Sequence, residues 1–522
     1  MPEPGGLSKA DVRLTTTTTT PTAEATPRRE DTPMRVALLG DFSGRRHRTG
    51  PQSAGRLADR RPVQVDRDNF DQVLSRLGVT LALPLAGSTD TSVTLRFAEL
   101  DDFHPDRLFQ NVPAFQALRE LRADLRNPST FAKAAARMRG WSSGSAPASP
   151  VASPKEQPES GRDLSRAEQA DILDQLLAET QAPSQRAERL PGGQDWQSFL
   201  QRIVEPHLLP KIDFAEQAAL EEVVNEAAGA QMRSLLHHPD FQAVEAAWRA
   251  VHFLTRRLET DERLQLYLVD VTKAELAADL ASSDDLHATG IYRLLAESAA
   301  GGRPWGILAG LYTFDQGRED VELLGRIARL GQRADAPFLA EGSCRILGCS
   351  SLVQTPDATD WAPSDAEAEQ RWEALRQLPE APYLGLALPR FLLRLPYGKA
   401  TSPVEEFDFE EMPEGSDHDG YLWGNSAVAC AYLLADSFRR RGWDFHAGAV
   451  REVADLPLHV YREGGESRIK PCAEVLLDEK AMAATLDKGL MPLLSVRDRD
   501  VVRVARFQSL AEPATPLAGR WS

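Results

Sequence analysis

Between residues 141 and 161 the chain turns to Ser, Pro, Ala and Gly. Such a stretch holds too little apolar surface to offset the entropy of ordering it, so it reads as a linker that divides the chain into two separately patterned parts. The total of 522 residues also exceeds what one hydrophobic core supports, which predicts two to four domains. The expected organisation is a low-complexity arm at 1–33, a small domain at 34–140 and the linker at 141–163. An amphipathic helix and loop at 164–193 follow, then a large domain at 194–512 and a tail at 513–522.

Each part carries its own periodicity. In the first, Val36, Ala37, Leu38 and Leu39 form a short apolar run stopped by Gly40-Asp41-Phe42-Ser43-Gly44, the pattern of a buried strand. Phe70, Val73, Leu74 and Leu77 recur at helical spacing, Val93, Leu95 and Phe97 alternate as in a strand, and a helix is expected from Phe115 toward Met138. In the second part, helices are predicted at 214–236 and 241–258, a strand at 264–271, a helix at 273–280, a strand at 305–310 and a helix at 321–333. Phe338 opens a further apolar segment. Strands alternating with helices predict an α/β (α+β) fold with a mixed sheet and flanking helices.

Composition narrows the function. With 42% hydrophobic and 26% charged residues the chain is neither wholly disordered nor membrane-embedded. No run approaches 18 apolar residues and the N-terminus lacks a secretory pattern, so a cytoplasmic protein without membrane insertion is expected. The net charge of −17 argues against nucleic acid, although residues 34–140 hold 17 Lys and Arg against 12 Asp and Glu. A basic part tethered to an acidic one suggests that the two face each other, with ordinary composition drift as the alternative. The four cysteines are too few for a disulfide framework and read as core thiols.

Motifs for chemistry are sparse. The Gly398-Lys399-Ala400-Thr401 segment lacks the upstream glycine of a phosphate loop, because that position is Leu393. Eight carboxylates cluster at Glu405, Glu406, Asp408, Glu410, Glu411, Glu414, Asp417 and Asp419, around His418. Their spacing fits no ordered calcium loop, so the expectation is a solvated or salt-bridging surface turn that binds no structural divalent ion. His237 and His238 read as a helix C-terminus. No catalytic residue, metal site or cofactor follows from the sequence.

Several ordered blocks carry a resemblance. Gly40-Asp41-Phe42-Ser43-Gly44-Arg45, Val65-Asp66-Arg67-Asp68-Asn69-Phe70-Asp71, and Leu95-Arg96-Phe97 with Asp101-Asp102-Phe103-His104-Pro105-Asp106 resemble the small sheath subunit of type VI secretion systems, called TssB or VipA. His237-His238-Pro239-Asp240-Phe241 with Ala247-Trp248-Arg249, the run at 383–398, Pro403-Val404-Glu405-Glu406-Phe407-Asp408-Phe409-Glu410-Glu411, and Tyr421-Leu422-Trp423-Gly424-Asn425 resemble the large sheath subunit, TssC or VipB. The resemblance implies a fusion of the two subunits, whose linker enforces one-to-one stoichiometry and raises the local concentration of each part for the other.

Its implied function is that of a non-enzymatic structural protomer. Copies polymerise into a contractile sheath around an inner tube protein on a baseplate, and a disassembly ATPase of the ClpV type recycles the contracted form. The implied ATPase-docking helix carries Ile172, Leu173, Leu176 and Leu177. The implied strand-exchange segment is Val12, Arg13, Leu14, Thr15 and Thr16, at the start of a run of threonines reaching Thr20. Large subunits of this kind extend past the segment matching 503–510, which leaves a non-polymerising capping or regulatory protein as the alternative. A metal-dependent hydrolase built on the acidic turn is the third reading.

Overall fold

A computed structural model describes residues 32–47, 57–84, 92–142, 200, 204, 217–297, 304–362, 365–413 and 417–521. In the first part the apolar run forms β1 (Met34–Gly40), buried at every residue. It is followed by β2 (Val63–Val65), α1 (Phe70–Leu77), β3 (Val79–Pro84), β4 (Ser92–Phe97), α2 (Pro105–Asn111), α3 (Pro113–Arg126) and α4 (Phe131–Ser142). The second part runs through α5 (Gln217–Leu236), α6 (Pro239–Arg257), β5 (Leu264–Asp270), α7 (Lys273–Ala281), β6 (Ile307–Phe314), α8 (Arg318–Ala334), β7 (Phe338–Gly342) and α9 (Ala366–Arg376). It continues with β8 (Leu384–Leu388), β9 (Phe391–Leu392), β10 (Trp423–Gly424), α10 (Ser426–Arg441), β11 (Glu452–Val453), β12 (Val460–Glu463), β13 (Glu466–Ile469), α11 (Glu479–Asp487), β14 (Met491–Ser495) and β15 (Val502–Val504).

The fold is α/β, as expected. Among the described residues the principal sheet is mixed and has nine strands in the order β11, β15, β14, β8, β7, β6, β1, β5, β2. The decisive placement is that of β1. It pairs in parallel with β5 from Met34 opposite Leu264 to Gly40 opposite Asp270, and on its other side with β6 from Val36 opposite Ile307 to Leu39 opposite Gly310. A strand of the first part is thus enclosed by two strands of the second.

Alternation along β1 feeds two cores. Met34, Val36 and Leu38 belong to one buried cluster with side chains of α1, α3, α5, α6 and α10, whereas Ala37 and Leu39 belong to a second with those of α7, α8 and α9. A strand buried on both faces needs apolar residues at successive positions, which is why 36–39 show no polar alternation. Helix α6 locks the first part in place. The indole of Trp248 donates to the Phe42 carbonyl at 2.8 Å and meets Phe42 and Phe70 edge-on, while Phe241 meets the stacked pair Phe97 and Phe103.

Three elements differ from expectation. The helix expected from Phe115 toward Met138 is broken into α3 and α4 at Asn127, because Pro128 disfavours helical geometry in the residue before it and the Asn127 side chain accepts from the Ser129 amide. Strand β6 begins two residues later than expected and runs on to Phe314. His238 does not close α5; its Nδ1 accepts from the Asp240 amide and caps the N-terminus of α6, with Pro239 in the first turn.

The shared sheet yields a direct test. With a protease site inserted between Pro150 and Val151 and cleaved, the two pieces should elute together on gel filtration at physiological and at high salt. Separation at either salt concentration would contradict the shared sheet.

Candidate functional site

The sequence blocks quoted above converge on one seam between the two parts. Arg394 follows the apolar strands β8 and β9, so the chain carries it inward and leaves its side chain 7% exposed. A buried guanidinium requires buried acceptors. Glu245 on α6 and Glu411 from the acidic segment supply them: Arg394 Nε lies 2.8 Å from Glu245 Oε1, and its two terminal nitrogens lie 2.7 and 3.0 Å from the Glu411 oxygens. Arg249, one turn along from Glu245, donates to Glu245 at 2.7 Å and to the Tyr397 hydroxyl at 2.9 Å. Two arginines and two glutamates thereby balance.

The electrostatics follow from that geometry. Burial alone would raise the Glu411 carboxyl, but the Arg394 charge, with the nearby His237 imidazole and hydrogen bonds from Arg394 and the Tyr397 amide, outweighs it and holds the group at about 2. Burial likewise opposes the charged Arg394, yet Glu245 and Glu411 raise its hold on the proton well above the ordinary range. His237 Nε2 stands 3.5 Å from Glu411 Oε1, just beyond a normal hydrogen bond.

Neighbouring residues of the acidic segment are also held by the first part. The Asp106 carboxylate accepts from the Glu405 and Glu406 amides at 2.9–3.2 Å, Gln110 donates to the Glu406 carboxylate at 2.6 Å, and Arg122 donates to the Glu406 carbonyl at 2.8 Å. Phe407 stacks on Phe109 with centroids 4.4 Å apart, and His104 meets Tyr397 edge-on. The first part therefore does face the 403–411 segment, through Asp106, Gln110 and Arg122 rather than through ion pairs. The expectation of a solvated or surface turn is corrected at Glu411, which is 1% exposed.

The turn at 397–402 has a related use. Lys399 donates from its amide to the Glu410 carboxylate at 3.0 Å and from its ammonium to Asp408. A side chain at Gly398 would collide with Glu410 Oε2, since its Cβ would lie 2.1 Å away. The segment that superficially suggests a phosphate loop instead cradles a carboxylate of its own chain.

His418 bonds to Glu474, and Asp419 accepts from Gln242 through its carbonyl; Glu414 lies outside the described residues. Among the described residues no group of three His, Cys, Asp or Glu is placed to hold a metal ion, and no helix is long and apolar enough to cross a membrane. Ile172, Leu173, Leu176 and Leu177, like Val12, Arg13, Leu14, Thr15 and Thr16, lie outside the described residues. Sequence reasoning missed Arg394 and Glu245 as a pair. The available signal was a lone arginine after an apolar strand run, and a glutamate on the buried stripe of α6 beside Val244 and Trp248.

Comparison with known proteins agrees with this geometry. Residues 219–511 match the family described as EvpB/VC_A0108, tail sheath N-terminal domain, and residues 11–140 match that described as type VI secretion system, VipA, VC_A0107 or Hcp2. The chain is 34% identical over 329 residues to the type VI secretion system sheath protein TssC1 of Pseudomonas aeruginosa, covering 60% of this chain and 66% of that relative. It is 30% identical over 103 residues to the sheath protein TssB1 of the same organism, covering 19% of this chain and 58% of that relative. The chain thus spans less than two thirds of the length of each, 66% of TssC1 and 58% of TssB1. It belongs to the type VI secretion sheath family, and it carries TssB-like and TssC-like parts in one polypeptide.

Two measurements probe the seam. Replacing Arg394 with Met leaves buried Glu411 without its guanidinium and Glu245 with Arg249 alone, and should cost about 3–5 kcal/mol in denaturant unfolding. Acid should act through the depressed carboxyls. Glu411, Glu474 and Glu275 all titrate at about 2 when folded, against an ordinary 4.5. Each contributes stability that is complete above pH 4.5 and lost as pH falls from 4.5 toward 2, with a span of about 3 kcal/mol for the buried Glu411. Glu411→Gln should therefore lower stability at pH 7 and flatten its fall across that window. An unchanged acid profile would show that Glu411 carries no such charge.

Proposed function

We propose that this chain is a pre-joined protomer of a contractile type VI secretion sheath, polymerising around an inner tube and contracting to drive it outward. The observation that carries the reading is the enclosure of β1 between β5 and β6. It makes the TssB-like and TssC-like parts one rigid unit, the form in which a lattice can transmit force. Work in such a device requires no bond chemistry. It comes from a packing free-energy difference between two lattice states, multiplied over identical interfaces.

The proposed partners are other copies of the chain, an inner tube protein, a baseplate and a disassembly ATPase of the ClpV type. Copies would be knitted by the arm, with Val12 to Thr16 adding a strand to a neighbour. The hairpin of β12 and β13 supports this reading as an acceptor. Among the described residues its strands pair only with each other, and Val460 and Ile469, opposite one another, are 54% and 37% exposed. An edge of this kind leaves backbone donors and acceptors for an incoming strand. At its base Lys470 donates its amide to the His459 carbonyl and His459 bonds the Tyr421 hydroxyl, so the hairpin stands on the main body. Ile172, Leu173, Leu176 and Leu177 would present a leucine-rich stripe to a groove of the ATPase.

Negative-stain imaging of the purified chain tests the main proposal. Tubules are expected. Bounded particles would favour the capping alternative, and monomers at high concentration would overturn polymerisation. Deleting residues 1–25 should leave the folded protomer intact and stop tubule formation; normal tubules from that variant would refute the arm's role. Replacing Leu173 and Leu176 with Asp should abolish binding to the ATPase N-terminal domain without changing the melting temperature. Undiminished binding would exclude this docking helix.

A further inference from the structure

Sequence pattern assigned all four cysteines to cores, and the structure separates one of them. Cys349, Cys430 and Cys472 are buried, while Cys344 is half-buried at the C-terminal end of β7. Residues 344–347 make a single tight turn ended by Gly348 in the left-handed conformation, where φ is 83°. A side chain at Gly348 would strike the Ala362 carbonyl, its Cβ only 1.7 Å from the oxygen, so the turn depends on this glycine. The Gly348 amide donates to the Arg345 carbonyl at 3.0 Å and the Cys349 amide to the Cys344 carbonyl at 3.4 Å. This nested closure brings the backbone of residue 349 back onto that of residue 344. The Cys349 sulfur points the same way, 3.5 Å from the Cys344 carbonyl oxygen.

We propose that Cys344 and Cys349 form a modification site for hydroperoxides, in which Cys344 is the thiol attacked and Cys349 resolves the product as a disulfide. The Cys344 thiolate attacks one peroxide oxygen; an S–O bond forms, the O–O bond breaks, and the departing hydroxide takes up a proton as water. Cys349 then attacks the sulfenic sulfur, an S–S bond forms and the S–O bond breaks, and a second water leaves. Two thiols have given up two electrons and two protons, and one hydroperoxide has been reduced.

The two roles follow from access and acidity. Cys344 is the more exposed of the two residues. The neighbouring Cys349 thiol shifts the Cys344 thiol below the ordinary cysteine range, against the opposing effects of partial burial and the Glu474 charge. The same contact, with burial, pushes Cys349 upward, so the pair presents one nucleophile and one protonated resolving thiol. Cys430 and Cys472, pushed by burial to about 12 and 11, are internal controls in the same chain.

The test uses the reduced full-length protein and equimolar hydrogen peroxide at pH 7. Trypsin cleaves after Arg345, between the two cysteines, so a disulfide is read directly as two joined peptides. The expected result is joined peptides carrying Cys344 and Cys349, with Cys430 and Cys472 still reduced. Cys349→Ser should stop at a Cys344 sulfenic acid trapped by dimedone, and Cys344→Ser should give neither product. Iodoacetamide should label Cys344 in the unmodified protein before Cys430 and Cys472. Peptides that stay separate while Cys344 is over-oxidised, or labelling of Cys430 or Cys472 ahead of Cys344, would overturn the proposal.

Discussion

Everything else in this molecule depends on a parallel strand being hydrogen-bonded on both edges. Without β1, strands β5 and β6 would face a gap the width of one strand, and their inward backbone groups would lose partners in a region from which water is excluded. Both cores would open as well, because Met34, Val36 and Leu38 fill one while Ala37 and Leu39 fill the other. Among its described residues the first part has no comparable sheet of its own. Its β3 and β4 pair only with each other among the described residues, and two strands do not make a stable sheet. Physical interdependence of this kind is what covalent joining of the parts secures.

The seam adds specificity to that interdependence. Apolar contacts such as Phe97, Phe103 and Phe241 supply area without demanding one register, whereas the Arg394 quartet accepts only one. A shift of the 403–411 segment would strand Glu411 in the core. It would also detach Glu405 and Glu406 from Asp106, so the first part and the acidic segment are held in step. In the proposed sheath role, an interior that does not slip would let the protomer pass strain to its neighbours.

Much of the local structure is legible from residue pattern alone. The buried run at 36–39, the helical stripe of Phe70, Val73, Leu74 and Leu77, and the alternation at 93–97 all appear where spacing places them. Long-range relations are not legible in that way. Strand pairing between residues more than 220 positions apart leaves no mark on local periodicity, so β1 reads as the start of a separate small domain. The acidic cluster misleads for a similar reason. Glu411 and Asp408 look alike in sequence, and only the approach of Arg394 and Glu245 buries the former, while Lys399 holds the latter at the surface. His238 was within reach, since a residue before Pro and Asp at a helix start is an N-cap position.

Hydrogen exchange resolved to the amides of β1, β5 and β6 tests the central claim most directly. If the two parts form one cooperative body, the amides of residues 36–40 should exchange only through global unfolding, with the same opening free energy as those of β5 and β6 and the same denaturant dependence. Exchange of β1 through a smaller opening, while β5 and β6 stay protected, would show that the first part detaches on its own and would contradict the account.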